Sequence, residues 1–258
     1  MSVVLDSDWI AALTDGSVDP NRVWLNHADF DLRATIGDLA THARTDHGAG
    51  NLVFQHPDAA PANVTFEAGS RDNIVVWGAR MPSRQPVVLG GSDHRVIVGP
   101  CKKFTARIGV TGQGNLFFTG LETTCNQANI VLQGVGRSIL MGQDCMLSFD
   151  VVLRGADSHG IVDLTTMQLS NPPDSILLGA HVWLGEGATV LKGAKIGRGS
   201  VIASRALVSG EIPETCLAVG VPARVLRENQ SWTRRPDPGP AQIKALARRL
   251  GSGGPEGA

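Results

Sequence analysis

At 258 residues, with 23 basic against 24 acidic side chains, the chain can bury one sizeable core and carries no electrostatic footprint for nucleic acid or anionic lipid. Charged residues make up 18 % of it, and glycine is in excess at 31 residues with no collagen-like period. The lack of that period excludes a collagen-like chain, and the excess points to one that turns often, with small residues at the turns.

In chain order, the start MSVVLDSDWIAAL has no basic stretch, apolar run or cleavage site of a secretory signal. No apolar run reaches membrane-spanning length, so the expectation is a cytoplasmic protein without a transmembrane segment. Residues 1–50 are predicted to be a helical region. Asp6 or Ser7 can cap a short helix through DWIAAL, and Phe30, Ile36 and Leu39 recur at roughly helical spacing in NHADFDLRATIGDLATHAR. Residues 51–225 are short Val-, Ile- and Leu-rich runs broken by Gly, Asn and Asp, which predicts many short strands joined by tight turns. The extension 226–258 holds a linker with Pro236, Pro238 and Pro240, a short amphipathic helix over QIKALARRL, and the tail GSGGPEGA, expected to be disordered. The four cysteines, Cys101, Cys125, Cys145 and Cys216, show neither a C-x-x-C pair nor a zinc spacing and are expected to be buried, reduced thiols.

Within the strand-rich zone lies a repeat of six. From Leu178 the chain divides into LGAHVW, LGEGAT, VLKGAK, IGRGSV, IASRAL and VSGEIP. The leading residues Leu178, Leu184, Val190, Ile196, Ile202 and Val208 are all aliphatic, and the fifth positions, Val182, Ala188, Ala194, Ser200, Ala206 and Ile212, are mostly small. The same phase begins earlier, with Met141, Leu147 and Leu153 leading. A period of six is neither helical nor that of a simple hairpin. It fits a solenoid in which each hexapeptide makes one flat side of a coil, the aliphatic residue filling the axis and the small one sitting where coils crowd. Upstream, NIVVWGAR and VIVGPCKKFTARIGV read as looser coils of the same stack.

Residues 141–228 resemble the C-terminal half of hexapeptide-repeat acyltransferases, the group of galactoside, serine and bacterial polysaccharide O-acetyltransferases. The segments that carry the resemblance are DSHGI at 157–161, HVWLG at 181–185 and VGVPARVLRE at 219–228. It implies an all-β fold, a left-handed parallel β-helix, and a homotrimer with acetyl-CoA in the groove between subunits. In the galactoside and polysialic acid branches a histidine stands 24 positions before the tryptophan of a V-W-I-G rung. His159 and Trp183 keep that spacing. The resemblance therefore places the catalytic histidine on His159 and the active-site tryptophan on Trp183. It places the donor contacts on Glu186, Ser204, Ser209, Gly210, Arg224 and Arg227. Glu186 and Gly210 depart from the family's small polar residue and lysine, which leaves backbone contacts at those two positions.

A neutral imidazole can take the proton of an acceptor hydroxyl as it attacks a thioester, with no metal needed for the chemistry. Asp157, two residues from His159, can fix the tautomer, and Asp150 is the other candidate. A backbone N–H or the Trp183 indole N–H can meet the oxyanion. Asn126 and Asn129 precede a coil facing the same groove and are the candidate acceptor contacts. The acceptor is expected to be a saccharide hydroxyl, a preference that rests on the resemblance. Acylation of an amino sugar and a non-catalytic solenoid scaffold stay open. A zinc-dependent relative of the same fold would need a near pair of coil-edge histidines, and His94, His159 and His181 contain none. His181 is read as structural or as a groove wall, and His42 and His47 as solvated positions of the N-terminal helix.

Overall fold

The computed structural model describes Phe30 and residues 35–251. The expected DWIAAL helix, most of the segment around Phe30 and all but the first residue of the GSGGPEGA tail lie outside the described residues. Thr35 and Ile36 are helical, and the described residues after them depart from the helical reading. A 3-10 turn, Leu39–Thr41, is capped by the Asp38 side chain on the Ala40 N–H, and Ala43–Asp46 is a strand antiparallel to Leu52–Gln55. Gly48, Ala49 and Gly50 all take positive φ and fold these two strands into a hairpin. The apolar residues at that spacing face the sheet. Ile36, Phe30 and Leu39 pack on Ile74, Val76, Ile97 and Phe118 on the outer surface of the sheet.

From Leu52 the chain winds as a left-handed parallel β-helix of about seven turns, with three flat faces. On the first face the register runs from Val53 through Val75, Val96, Phe117 and Ile139 to Ile176, and beside it from Trp77 through Val98, Thr119, Met141, Leu178 and Ile196 to Ile212. The second face stacks Leu147, Leu184, Ile202 and Ala218. The third stacks Ile108, Ile130, Leu153, Val190 and Val208. Every leading residue of the hexapeptides is buried, and so is every fifth residue, as the pattern requires. Cys101, Cys125, Cys145 and Cys216 are buried with no disulfide between them, and burial pushes the Cys101 and Cys125 thiols up to about 12.

The coils are not uniform, which explains why the repeat is clear only in part. Leu178 stacks on Ile196, so three hexapeptides close one coil there. Upstream the step is longer: Val75 pairs with Val96 and Phe117 with Ile139, each more than three hexapeptides along the chain. The extra length goes into long strands such as Arg95–Gln113, which passes a corner at Gly99 and Pro100 without breaking. The last coil is shorter. Ile212 pairs with Ile196 before three full hexapeptides have passed, so in VSGEIP it takes a leading position and not the fifth one expected.

The glycine excess resolves into corner columns. Gly78, Gly99, Gly120, Gly142, Gly179 and Gly197 recur where the first face turns into the second, each against the backbone of the next coil. A Cβ on Gly142 would lie 2.5 Å from the Ala180 nitrogen. At the corner before the first face, buried Asn51, Asn73, His94 and Asn115 form a polar ladder: Asn73 Nδ2 donates to Asn51 Oδ1 (2.8 Å), Asn73 Oδ1 accepts from the His94 N–H (2.9 Å), and His94 Nδ1 accepts from the Asn115 N–H (3.2 Å). The side chains satisfy backbone donors that the coil turns away from its neighbours. Burial lowers the His94 pKa and keeps the ring neutral in this role.

After the final strand, Arg224–Arg227, the chain returns along the second face and ends in the helix Pro240–Arg249, with Pro240 at its first turn. No helix among the described residues is long and apolar enough to cross a membrane.

Candidate active site

The excursion at 155–175 leaves the third face after the strand Val151–Arg154 and carries a two-stranded hairpin, Val162–Asp163 with Gln168–Leu169. At its root the chain turns through Ser158, whose φ is 66°, and presents His159 to solvent. Gln133, Asp157, His159, Leu169, Asn171 and Pro173 line a cleft of about 200 Å³ there. Among the described residues the imidazole of His159 makes no hydrogen bond, so both ring nitrogens are unengaged at the edge of the cleft.

The turn is braced from below by a residue the sequence reading missed. Asn171 Nδ2 donates to Asp157 Oδ2 (2.7 Å) and to the His159 carbonyl (2.9 Å), while its Oδ1 accepts from the Ile161 N–H (2.6 Å). Lys192, from the coil below, donates to Asp157 Oδ2 and to the Asn171 carbonyl (2.8 Å). Asp157 is therefore not hydrogen-bonded to the imidazole, which corrects the orienter role expected from its place two residues away. Its carboxylate is held below the usual carboxylate range by the hydrogen bonds from Lys192 and Asn171. Asp150, the other candidate, sits exposed at the opposite corner of the third face with φ 55°. The sequence signal for Asn171 is faint: it precedes Pro172 in the excursion, an ordinary turn signature.

Trp183 lies on the second face, between Met146 and Val201 in the register. Its indole N–H donates to Ser148 Oγ (3.1 Å). That bond corrects the expectation that the indole stands free to meet an oxyanion. Trp183 borders a different cleft, of about 590 Å³, between the solenoid and the C-terminal segment, with Thr215, Gln230 and Trp232. Within one chain, then, His159 and Trp183 are not brought together.

The other expected residues flank the third face. Glu186 and Ser204 are exposed on the corner between the second and third faces, in adjacent coils, since the Arg205 N–H donates to the Glu186 carbonyl (2.8 Å). Ser209 and Gly210 are exposed at the next corner, beyond the strand Leu207–Val208. Arg224 and Arg227 are exposed on the strand that pairs with Leu217–Val219, and no carboxylate among the described residues pairs with either. Asn129 is exposed on the third face between Arg107 and Val152, and Asn126 accepts from Lys103 Nζ (3.3 Å).

His181 is structural. Its ring is buried, stacks on Trp232 and contacts Asp144 Oδ2 at 2.8 Å. Burial works to raise the Asp144 pKa, but hydrogen bonds from His181 and Arg234 outweigh it and hold the carboxyl well below the usual range. His42 is buried against His56 and not solvated, and it follows the 3-10 turn; His47 lies in the hairpin turn against Phe66.

No family model matches the chain. It is 33 % identical to the polysialic acid O-acetyltransferase of Neisseria meningitidis over 49 % of its own length and 69 % of that protein's. It is 30 % identical to the polysialic acid O-acetyltransferase of Escherichia coli O1:K1 over 48 % of its length, and spans only 38 % of that longer relative. Among solved structures, the polySia-specific acetyltransferase NeuO superposes with a TM-score of 0.61 at 23 % identity, over 81 % of this chain and 99 % of that one. A shared solenoid alone would show only the fold, but here the sequence likeness extends over most of a relative's length. The chain belongs to the hexapeptide-repeat acyltransferase family, the family of the polysialic acid O-acetyltransferases.

Proposed function

We propose that the protein is an O-acetyltransferase that moves an acetyl group from acetyl-CoA to a saccharide hydroxyl, with His159 as the general base. The observation that carries the reading is the unengaged His159 imidazole, held over its cleft by a turn that Asn171, Asp157 and Lys192 tie to the solenoid. An imidazole positioned in this way takes the acceptor's proton as the hydroxyl oxygen attacks the thioester carbonyl, a contribution of about 10²–10⁴ in rate. The protonated ring then returns that proton to the departing thiolate. With the Trp183 indole committed to Ser148, the oxyanion falls to a backbone N–H.

Glu186 and Ser204 supply a corner groove for the pantetheine arm, with Ser209 and Gly210 at the facing corner. Arg224 and Arg227, exposed and free of carboxylate partners, suit the phosphates of the nucleotide end. Asn126 and Asn129 lie on the groove side as acceptor contacts.

Because His159 and Trp183 border separate clefts of one chain, a site containing both takes each from a different subunit. A closed trimer answers that need. The excursion supports it: Ile161, Leu164, Met167 and Leu169 are all exposed on the hairpin, an apolar arm that a neighbour would cover.

The test is acetyl-CoA turnover followed as thiol release, with a panel of saccharides and amino sugars, for the wild type and His159→Ala. One acceptor class is expected to stimulate release, and the variant to lose at least two orders of magnitude while keeping its affinity for CoA. Stimulation that survives in the variant, or no CoA binding by the wild type, removes the reading. Light scattering that shows a monomer removes the shared site.

A further inference from the structure

The C-terminal helix Pro240–Arg249 and its cap carry Ile243, Leu246, Ala247 and Leu250 at the spacing of one helical face. All four line the cleft of about 590 Å³ that Trp183 borders. Leu250 is buried beside the Gly199 corner, whereas Ile243, two turns earlier, is 52 % exposed, so the helix meets the solenoid at one end and stands off it at the other. Trp183 and Trp232 make the opposite wall, 6.0 Å between ring centroids and 48° from parallel. The polar side chains of the lining are largely spent on main-chain carbonyls. Ser231 Oγ donates to Gly199 (2.8 Å), Gln230 Nε2 to Asn229 (3.1 Å) and Thr233 Oγ1 to Arg235. Among the described residues no carboxylate lines the cleft, and Arg235 is the one charged residue that does. The neighbouring arginines are committed elsewhere: Arg234 donates to Asp144, Thr124 and two main-chain carbonyls, and Arg249 to Asp144 and His181. Arg235 is exposed, and among the described residues its guanidinium makes no hydrogen bond or ion pair.

We propose that this cleft is a binding site for a fatty carboxylate, its hydrocarbon tail between the two indoles and the helix face and its head paired with Arg235. The volume lies within the range of small-molecule sites, roughly 300–1,000 Å³, and the lining is mostly apolar, as it is in such sites. A flexible hydrocarbon chain takes both apolar walls out of water at once, which a polar ligand would not do. A guanidinium presents paired N–H donors that match a carboxylate, and the charge-assisted bond is stronger than a neutral one. One unengaged cation matches one negative charge, which selects a monoanionic head over a dianionic phosphate. A sugar fits poorly, because Ser231, Gln230 and Thr233 already use their hydrogen-bonding groups on the main chain. The cleft shares no lining residue with the one at His159, and the inference goes beyond the transferase reading without resting on it.

The test is calorimetry on the full chain with four ligands of one tail length, each below its micelle threshold: decanoate, decanol, decyltrimethylammonium and decyl phosphate. The wild type is compared with Arg235→Ala and Ile243→Asp, both at exposed positions and each first checked for a native melting curve. Decanoate is expected to bind once per chain, at least about tenfold more tightly than decanol and with the ammonium ligand weakest. Arg235→Ala should bring decanoate down to the level of decanol and leave decanol unchanged. Ile243→Asp, which puts a carboxylate on the tail's wall, should weaken both by about tenfold or more. Absence of decanoate binding overturns the proposal, and so does decanol or decyltrimethylammonium bound as tightly as decanoate. Decanoate affinity unchanged in either variant overturns it as well, since the ligand would then sit elsewhere on the surface. A tenfold preference for decyl phosphate overturns the assignment of a carboxylate head. None of these readings depends on thiol release, so a failed transferase assay leaves the site standing and a failed binding assay leaves the transferase standing.

Discussion

His181 and Trp232 lie ring on ring, 4.3 Å between centroids and 6° from parallel, and each donates its ring N–H to the other's main chain: His181 Nε2 to the Trp232 carbonyl (2.9 Å) and Trp232 Nε1 to the His181 carbonyl (2.8 Å). The pair holds a proton on Nε2 of the imidazole and fastens the C-terminal segment to a corner of the solenoid. Trp232→Ala removes the stack and orphans the buried His181 carbonyl, a loss expected at about 3 kcal/mol. The check is limited proteolysis with thermal melting. Cleavage between residues 233 and 250 should accelerate well before the solenoid melts, and protection equal to the wild type would contradict the fastening role.

Asp144 makes that corner pH-dependent in one direction. It accepts from Arg234 Nε (2.9 Å) and Arg249 NH1 (2.9 Å), besides its contact with His181. A carboxyl whose folded pKa is depressed contributes stability above its unfolded value, near 3.9, and loses it as pH falls through the folded pKa. Docking of the C-terminal helix should therefore be insensitive to Asp144 from neutral pH to about 5 and weaken only below about 4. Asp144→Asn should lower stability at pH 7 by about 2 kcal/mol, since its arginine partners are partly exposed, and should flatten the acid limb of melting temperature against pH.

Asn171 is a positioning residue, three hydrogen bonds from one amide holding the turn that carries His159. Its removal leaves the imidazole in place chemically but loose in angle, and displacements near 1 Å are worth up to about 10² in rate. Asn171→Ala is expected to lower kcat with little change in KM for acetyl-CoA and less than about 1 kcal/mol in melting stability, because the excursion stands outside the core. Lys192→Ala should act in the same direction, with Lys192→Arg restoring part of the loss. A variant with wild-type kcat would show that the brace does not serve the base.

Two glycines separate close packing from mere turning. Gly142→Ala puts a Cβ 2.5 Å from the Ala180 nitrogen inside the corner column and is expected to cost about 3 kcal/mol or more in urea unfolding. Gly210→Ala meets nothing within 4 Å and should stay within about 0.5 kcal/mol. Equal losses at both positions would show that coil contact is not what selects glycine at the column.

The sequence alone determined the solenoid and its axis. Aliphatic residues at a period of six admit one packing, in which coil stacks on coil, and each leading residue from Leu178 to Val208 is buried as that period demands. It also determined the place of His159 at the root of a non-repeating excursion, since an interruption in a repeat is visible wherever the repeat is regular. Upstream, where each coil runs longer than three hexapeptides, the period blurs and the strands were readable only as strands. The last corner is cut short, and no local signal distinguishes Ile212 as a leading residue from a fifth one. The tertiary structure decided the partners. Asp157 stands two residues from His159, yet its carboxylate turns to Lys192, 35 positions later, and to Asn171. His181 meets Trp232 across 51 positions, and Trp183 meets Ser148 across 35. Adjacency in sequence sets which groups are near, but hydrogen bonds are directional, and in a solenoid the direction of a side chain is fixed by the coil beneath it.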